Sequence, residues 1–279
     1  MMMRTLGFLP LLTYPDASSE KLVTNAIAVA KQLDLDLHAH CIYVDIPDVN
    51  SALSGILLNV PEMIREAEFK SRAAGKQLLE ALRTAAAEAG VSVTTDEIYA
   101  PPSSIGECAV SQARYGDLSL MEWDAANSST RLIVEEVLFS SGRPVMLLPS
   151  SMSIDVIDHV MIAWDGSRVA ARALADAAPF LLRAKRISIA TVLDEKPLDK
   201  NIGERLELAL QRRGLTAEGL TLRVEGRAIG KALQAHALDS GAQLLVMGGF
   251  GHSRIRDFVL GGATADVLND VRLPILLSH

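Results

Sequence analysis

Short, nearly continuous apolar runs alternate with stretches of helical period along the chain, and the alternation is clearest in its second half. There, residues 160–164, 187–193, 220–224, 244–247 and 275–277 are apolar runs of strand length. Between them, 169–183, 202–213, 229–238 and 264–269 carry the helical period, with Ala170, Leu174, Ala177 and Leu181 on one face. In the first half, 6–12 predicts a first strand, 118–121 a fourth and 145–148 a last. A helical pattern follows Ser128 and Ser129, which read as its caps. Runs without polar alternation are expected of strands buried on both faces. Alternating strands and helices imply a parallel sheet with helices on both sides, and right-handed crossovers make it doubly wound.

The two halves repeat one plan. Ser104, Ile105, Gly106, Glu107, Cys108 and Ala109 parallel Ala228, Ile229, Gly230, Lys231, Ala232 and Leu233, and each block opens a helical pattern ending near a glycine, Gly116 or Gly241. Both halves close on a proline followed by an apolar run, at Pro144 and Pro274. So long a period means duplicated domains rather than a solenoid. The fold expected is α/β: two tandem doubly wound five-stranded parallel-sheet domains, 1–150 and 151–279, joined by a polar link near 149–155. The last strand of each half lies at a sheet edge and is too apolar to be left bare. Residues 144–149 and 274–278 are therefore each expected to be covered, an intrachain meeting of the two being a low-cost arrangement after duplication, and whole chains can also dimerise.

Composition narrows the partners. The chain has 279 residues, 49% hydrophobic and 22% charged, with a net charge of -7 and only 4% aromatics. That excludes a disordered chain and argues against nucleic acid as a ligand. The first half carries 11 Lys and Arg against 19 Asp and Glu, and the second 16 against 15, so the second is the better host for a small anion. Cys41 and Cys108 form no disulfide framework and read as buried free thiols. No apolar run reaches the length of a membrane span, and the apolar start, interrupted by Pro10, reads as a buried strand rather than a leader. A soluble cytoplasmic protein with no membrane partner is expected. His38 and His40 share a strand face with Cys41 nearby, but no third ligand stands at motif spacing, so no metal site is expected.

Ligands of open α/β sheets bind beyond the carboxyl ends of the strands, where the strand order reverses. For order 3-2-1-4-5, that point lies between the first and fourth strands. In the second half the first strand runs out through Ala163 and Trp164 into Asp165, Gly166 and Ser167, with Asp165 at the crevice mouth and Ser167 free to cap the next helix. The fourth strand ends in Met247, Gly248 and Gly249, and Gly251, His252 and Arg254 follow before Gly261, Gly262, Ala263 and Thr264. Glycines let backbone N–H groups approach a phosphate, and a helix N-terminus after them favours an anion. Neither a Walker lysine nor a dinucleotide fingerprint is present.

The spacing Gly248, Gly251, Gly261, with Asp165 on the first strand, resembles the universal stress protein family, and the duplicated plan resembles its tandem members. The resemblance implies binding of an adenine nucleotide, ATP first, with Mg²⁺ as an optional companion, in a stress-response or signalling module. It implies that Asp165 lies by adenine and ribose, that the backbone of Val192 faces adenine, that Gly248 and Gly251 start the phosphate loop and Gly261 ends it, and that the last strands, 144–149 and 274–278, pair across a two-fold axis in a pseudo-dimer. Ala163, Met247, His252, Arg254, Gly262 and Ala263 complete the expected nucleotide contacts, with Arg254 or Arg256 open to phosphate oxygens and His252 to a phosphate or to the loop itself. Gly262 departs from the Ser or Thr usual there. The first half lacks the glycines, and Glu122 and Asp124 in its loop would repel phosphate. No catalytic residue is assigned. Slow ATP hydrolysis, for which Asp165 is the one candidate group, and a nucleotide-independent partner-binding role are the alternatives.

Overall fold

The computed structural model describes residues 5–47, 59–192, 201–224, 226–249 and 262–279. Its strands are β1 (Thr5–Leu12), β2 (Leu35–Val44), β3 (Val93–Ala100), β4 (Leu118–Trp123), β5 (Val145–Pro149), β6 (His159–Ala163), β7 (Arg186–Val192), β8 (Glu218–Leu222), β9 (Leu244–Gly248) and β10 (Ile275–Ser278). They form one sheet in the order β3-β2-β1-β4-β5-β10-β9-β6-β7-β8. Each half thus has the expected 3-2-1-4-5 order, parallel throughout. The halves join where β5 meets β10 antiparallel, with Ile275 opposite Leu147, Leu276 opposite Met146 and Leu277 opposite Val145. All six side chains are buried. The apolar edges expected to cover each other do so.

Side chains alternate between the sheet faces with the strand period of two. Leu9, Leu11, Leu120, Met146, Val160, Ile162, Val246 and Leu276 belong to one apolar core, while Phe8, Met121, Leu147, Met161, Leu245 and Ile275 belong to a second. Both cores draw on both halves of the chain. The link between the halves is tied to the helix Glu20–Leu33. Asn25 Nδ2 donates to the Met152 carbonyl at 3.0 Å, and its Oδ1 accepts from Ile154 N at 2.9 Å. Gln32 makes the same two-way contact with the backbone of Ile157 at 2.7 and 2.8 Å.

Several elements differ from the sequence expectation. The helical stretch 169–183 divides into Arg168–Asp176 and Ala178–Leu181. Pro179 has no N–H to continue the ladder, so it sits in the first turn of a new helix. The expected strand 220–224 lies two residues earlier as β8, because pairing with β7 sets its register and this edge strand has little buried surface to oppose the shift. The expected strand 187–193 is present as β7, with Leu193 outside the described residues. The helix Ser128–Ser140 is capped by Asn127, not by the two serines: the Asn127 carbonyl oxygen accepts from Thr130 N at 3.0 Å. Cys41 is buried as expected, but Cys108 is only half-buried. The 30-residue helix Val60–Ala89 has no counterpart in the periodicity reading, since its buried stripe (Ser71, Gly75, Leu78, Leu79, Leu82 and Ala86) is narrow and rich in small residues.

Candidate functional site

The crevice of the second half opens between β6 and β9, which pair in parallel with Met161 opposite Leu245 and Ile162 opposite Val246. This register brings the ends of both strands, Ala163 and Met247 to Gly248, to one edge of the sheet. Beyond β6, Trp164 N donates to the Ala190 carbonyl at 2.8 Å and holds the exit of the strand against β7. Asp165 follows, exposed at the mouth. One of its carboxylate oxygens, Oδ1, accepts from Ser167 N at 2.9 Å. Gly166 takes a φ of 71° and turns the chain, and the Ser167 hydroxyl then caps the helix Arg168–Asp176 by accepting from Ala170 N at 3.2 Å. The capping role expected of Ser167 is present. It leaves the second carboxylate oxygen of Asp165 without a hydrogen bond from the described residues. Val192 closes β7 beside β6, half-buried.

At the end of β9, Gly248 stands where a side chain has no room. A Cβ there would lie 2.6 Å from Val169 Cγ2 and 2.7 Å from the backbone of Val169 and Ala170. The first turn of the helix after β6 is therefore pressed directly onto β9. Across the crevice, Gly262 has a φ of 111° and precedes the helix Ala263–Leu268. The Thr264 hydroxyl donates to the Gly248 carbonyl at 3.4 Å, which ties the start of this helix to the end of β9. The φ of Gly262 lies in a region that L-residues with a Cβ adopt at a cost, so the glycine suits this backbone where a serine or threonine would not. Of the expected site residues, Ala163, Asp165, Val192, Met247, Gly248, Gly262 and Ala263 are described. Gly251, His252, Arg254 and Gly261 lie outside the described residues.

At the equivalent place in the first half the protein supplies an anion of its own. Glu122, near the end of β4, accepts from Ser19 N at 3.0 Å through Oε2 and from the Ser19 hydroxyl through Oε1. Ser19 is the N-cap of the helix after β1. Beyond the repulsion of phosphate expected of Glu122, its carboxylate takes the half-buried donors of Ser19 in that turn. Asp124 is likewise engaged, accepting from Ala126 N at 2.9 Å.

In a second cluster the sequence showed two members and not the third. His38 and His40 are joined by Asp96 of β3, which lies opposite His40 in the strand register. Asp96 stands 58 positions from His38, so no local spacing could have found it. Elsewhere, burial and the nearby Arg186 lower the pKa of His159, whose Nε2 lies 2.8 Å from the Ser188 hydroxyl. Burial also pushes the Cys41 thiol up to about 11, which keeps it an inert thiol at neutral pH. Among the described residues no helix is long and apolar enough to cross a membrane.

Comparisons with known proteins fit this arrangement. Residues 157–279 match the family described as the Universal stress protein family. A curated universal stress protein of Synechocystis sp. is 31% identical over 147 residues, covering 51% of this chain and 49% of the relative. The chain thus spans about half the length of that relative. The crystal structure of a universal stress protein from Archaeoglobus fulgidus superposes with a TM-score of 0.68 at 16% identity, covering 97% of this chain and 95% of that one, and shows the same fold. A shorter structure, a universal stress protein in complex with cAMP, is 24% identical and covers 45% of this chain and 98% of its own length, with a TM-score of 0.38.

Proposed function

We propose that the second half of this chain, whose residues 157–279 match the universal stress protein family, binds an adenine nucleotide, ATP first, in the crevice between β6 and β9. The observation that carries the reading is the meeting, at the point where strand order reverses, of an exposed carboxylate with a partly free coordination sphere and a glycine whose hydrogen is all the packing admits. Asp165 is a hydrogen-bond acceptor suited to a ribose hydroxyl or the adenine amino group, since a carboxylate accepts on both oxygens. The backbone at Val192 and the half-buried Ala163 would form the wall against the base. The phosphates would lie along the glycine spacing Gly248, Gly251, Gly261, with Gly262 and Ala263 at its end and with His252 and Arg254 available to phosphate oxygens. Bound Mg²⁺ would neutralise part of the triphosphate charge. The first half takes no part in this, because Glu122 and Ser19 satisfy each other there. The nucleotide would act as the signal of a stress-response module rather than as a consumed substrate.

Calorimetric titration of the full chain with ATP tests the reading. One site per chain is expected, with affinity at least tenfold weaker in Asp165→Ala. No detectable heat at millimolar ATP would overturn it. Turnover of ATP that vanishes in Asp165→Ala would instead make the module a slow ATPase.

A further inference from the structure

We propose that His38, His40 and Asp96 form a binding site for a divalent transition-metal ion of the zinc class, in the first half of the chain and independent of the nucleotide reading. His38 and His40 are two apart on β2 and project from one face. Asp96 reaches the same face from β3, the edge strand of the sheet. Its Oδ2 lies 3.1 Å from His38 Nε2 and 3.9 Å from His40 Nε2, and the three donor atoms all lie within 4.8 Å of one another. Zinc bound tetrahedrally to imidazole and carboxylate sets its donors about 3.3 Å apart, so the His38–Asp96 pair is already near that spacing and the widest pair has to close by up to about 1.5 Å. Asp96 and His38 can supply that movement, being 62% and 30% exposed, whereas His40 is 5% exposed and held edge-on against Phe8.

The hydrogen bonds around the cluster orient it for a cation. His38 Nδ1 lies 2.6 Å from the Thr94 hydroxyl, which is itself 3.5 Å from the Leu37 carbonyl. The Asp96 carboxylate can only accept, so without an ion its 3.1 Å contact is a hydrogen bond from His38 Nε2–H, and a bound ion would take the place of that proton while Nδ1 keeps its contact with Thr94. Metal-ligating histidines are commonly positioned by such a partner on the other ring nitrogen. His40 has no comparable arrangement: among the described residues its buried Nδ1 has no hydrogen-bond partner, and its Nε2 is too far from Asp96 for a hydrogen bond. Neither tautomer of His40 is therefore satisfied by the described residues. Two imidazoles and one carboxylate favour zinc, cobalt, nickel or copper over magnesium or calcium, and they leave a fourth position to solvent. The ion would clamp the edge strand β3 to β2.

The test uses the full chain without an affinity tag, stripped of metal, titrated calorimetrically with Zn²⁺ and spectroscopically with Co²⁺. One ion per chain at micromolar affinity is expected, with the visible absorption of tetrahedral Co²⁺ and no competition from millimolar Mg²⁺. His38→Gln and Asp96→Asn should each weaken binding at least tenfold while leaving the melting temperature of the metal-free protein unchanged. Thr94→Val should weaken it less. Zinc binding no tighter than millimolar, or equal affinity in parent and variants, would overturn the proposal. If His38 and Asp96 form only an ion pair, the variants will lower the metal-free melting temperature and leave zinc affinity where it was, which equally overturns it.

Discussion

Gly248 shows how one hydrogen atom shapes the candidate site. The backbone of Val169 and Ala170 occupies the space of a Cβ, so Gly248→Ala must push a helix away from β9. Overpacking of this kind costs about 1–3 kcal/mol. Denaturant unfolding should show that loss, and calorimetry should show weaker ATP binding with it. His159 acts through its proton. Burial lowers its pKa in the fold, so below the ordinary histidine value the unfolded chain binds the proton more readily than the native one. Stability contributed by the neutral ring is complete above pH about 6.5 and declines as pH falls toward the lowered value. Unfolding free energy should therefore drop between pH 7.5 and 5.5, and His159→Gln should flatten part of that slope.

At the scale of elements, the link between the halves is held by side chains rather than by secondary structure. Asn25, itself buried, satisfies the Met152 carbonyl and the Ile154 amide. Asn25→Ala would leave both without their partner, at about 1–3 kcal/mol for the buried Ile154 amide and less for the half-buried Met152 carbonyl. The expected result is a lower midpoint in denaturant with an unchanged slope, since the surface exposed on unfolding stays the same. The same anchoring joins the helix Glu20–Leu33 to the second half at its other end, where Arg183 Nη2 donates to the Leu33 carbonyl at 3.0 Å. Helix and link thus restrain each other along most of the helix length.

Across the whole molecule, one sheet runs through both halves, and its seam is the antiparallel contact of β5 and β10. Val145, Met146, Leu147, Ile275, Leu276 and Leu277 are all fully buried there. Residues 151–279 expressed alone would present the apolar edge of β10 to water. An exposed edge of this kind pairs readily with a second copy, and an antiparallel pair of identical strands closes about a two-fold axis. Light scattering should find this fragment dimeric or aggregated. A monomeric, well-folded fragment would show that β5 is dispensable for covering the edge.

How much of this was legible in the residues depends on whether the information is local. The apolar runs located most of the strands within two residues, because burial on both faces of a sheet leaves a continuous hydrophobic stretch. The glycine spacing after β9, with Asp165 after β6, located the candidate crevice, because the topology forces these two strand ends together. The helix Val60–Ala89 escaped because its buried stripe is made largely of small residues, including Ser71 and Gly75, which carry little hydrophobic signal. Asp96 beside His38 and His40, Glu122 across Ser19, and Asn25 on the link were beyond reach for a different reason. Each pairs residues far apart in the chain, and such pairs come into hydrogen-bonding range only once strand register and crossover geometry are set. The sequence alone determined which segments are buried and in what order they lie; the tertiary structure decided which polar groups meet, because those meetings depend on register rather than on periodicity.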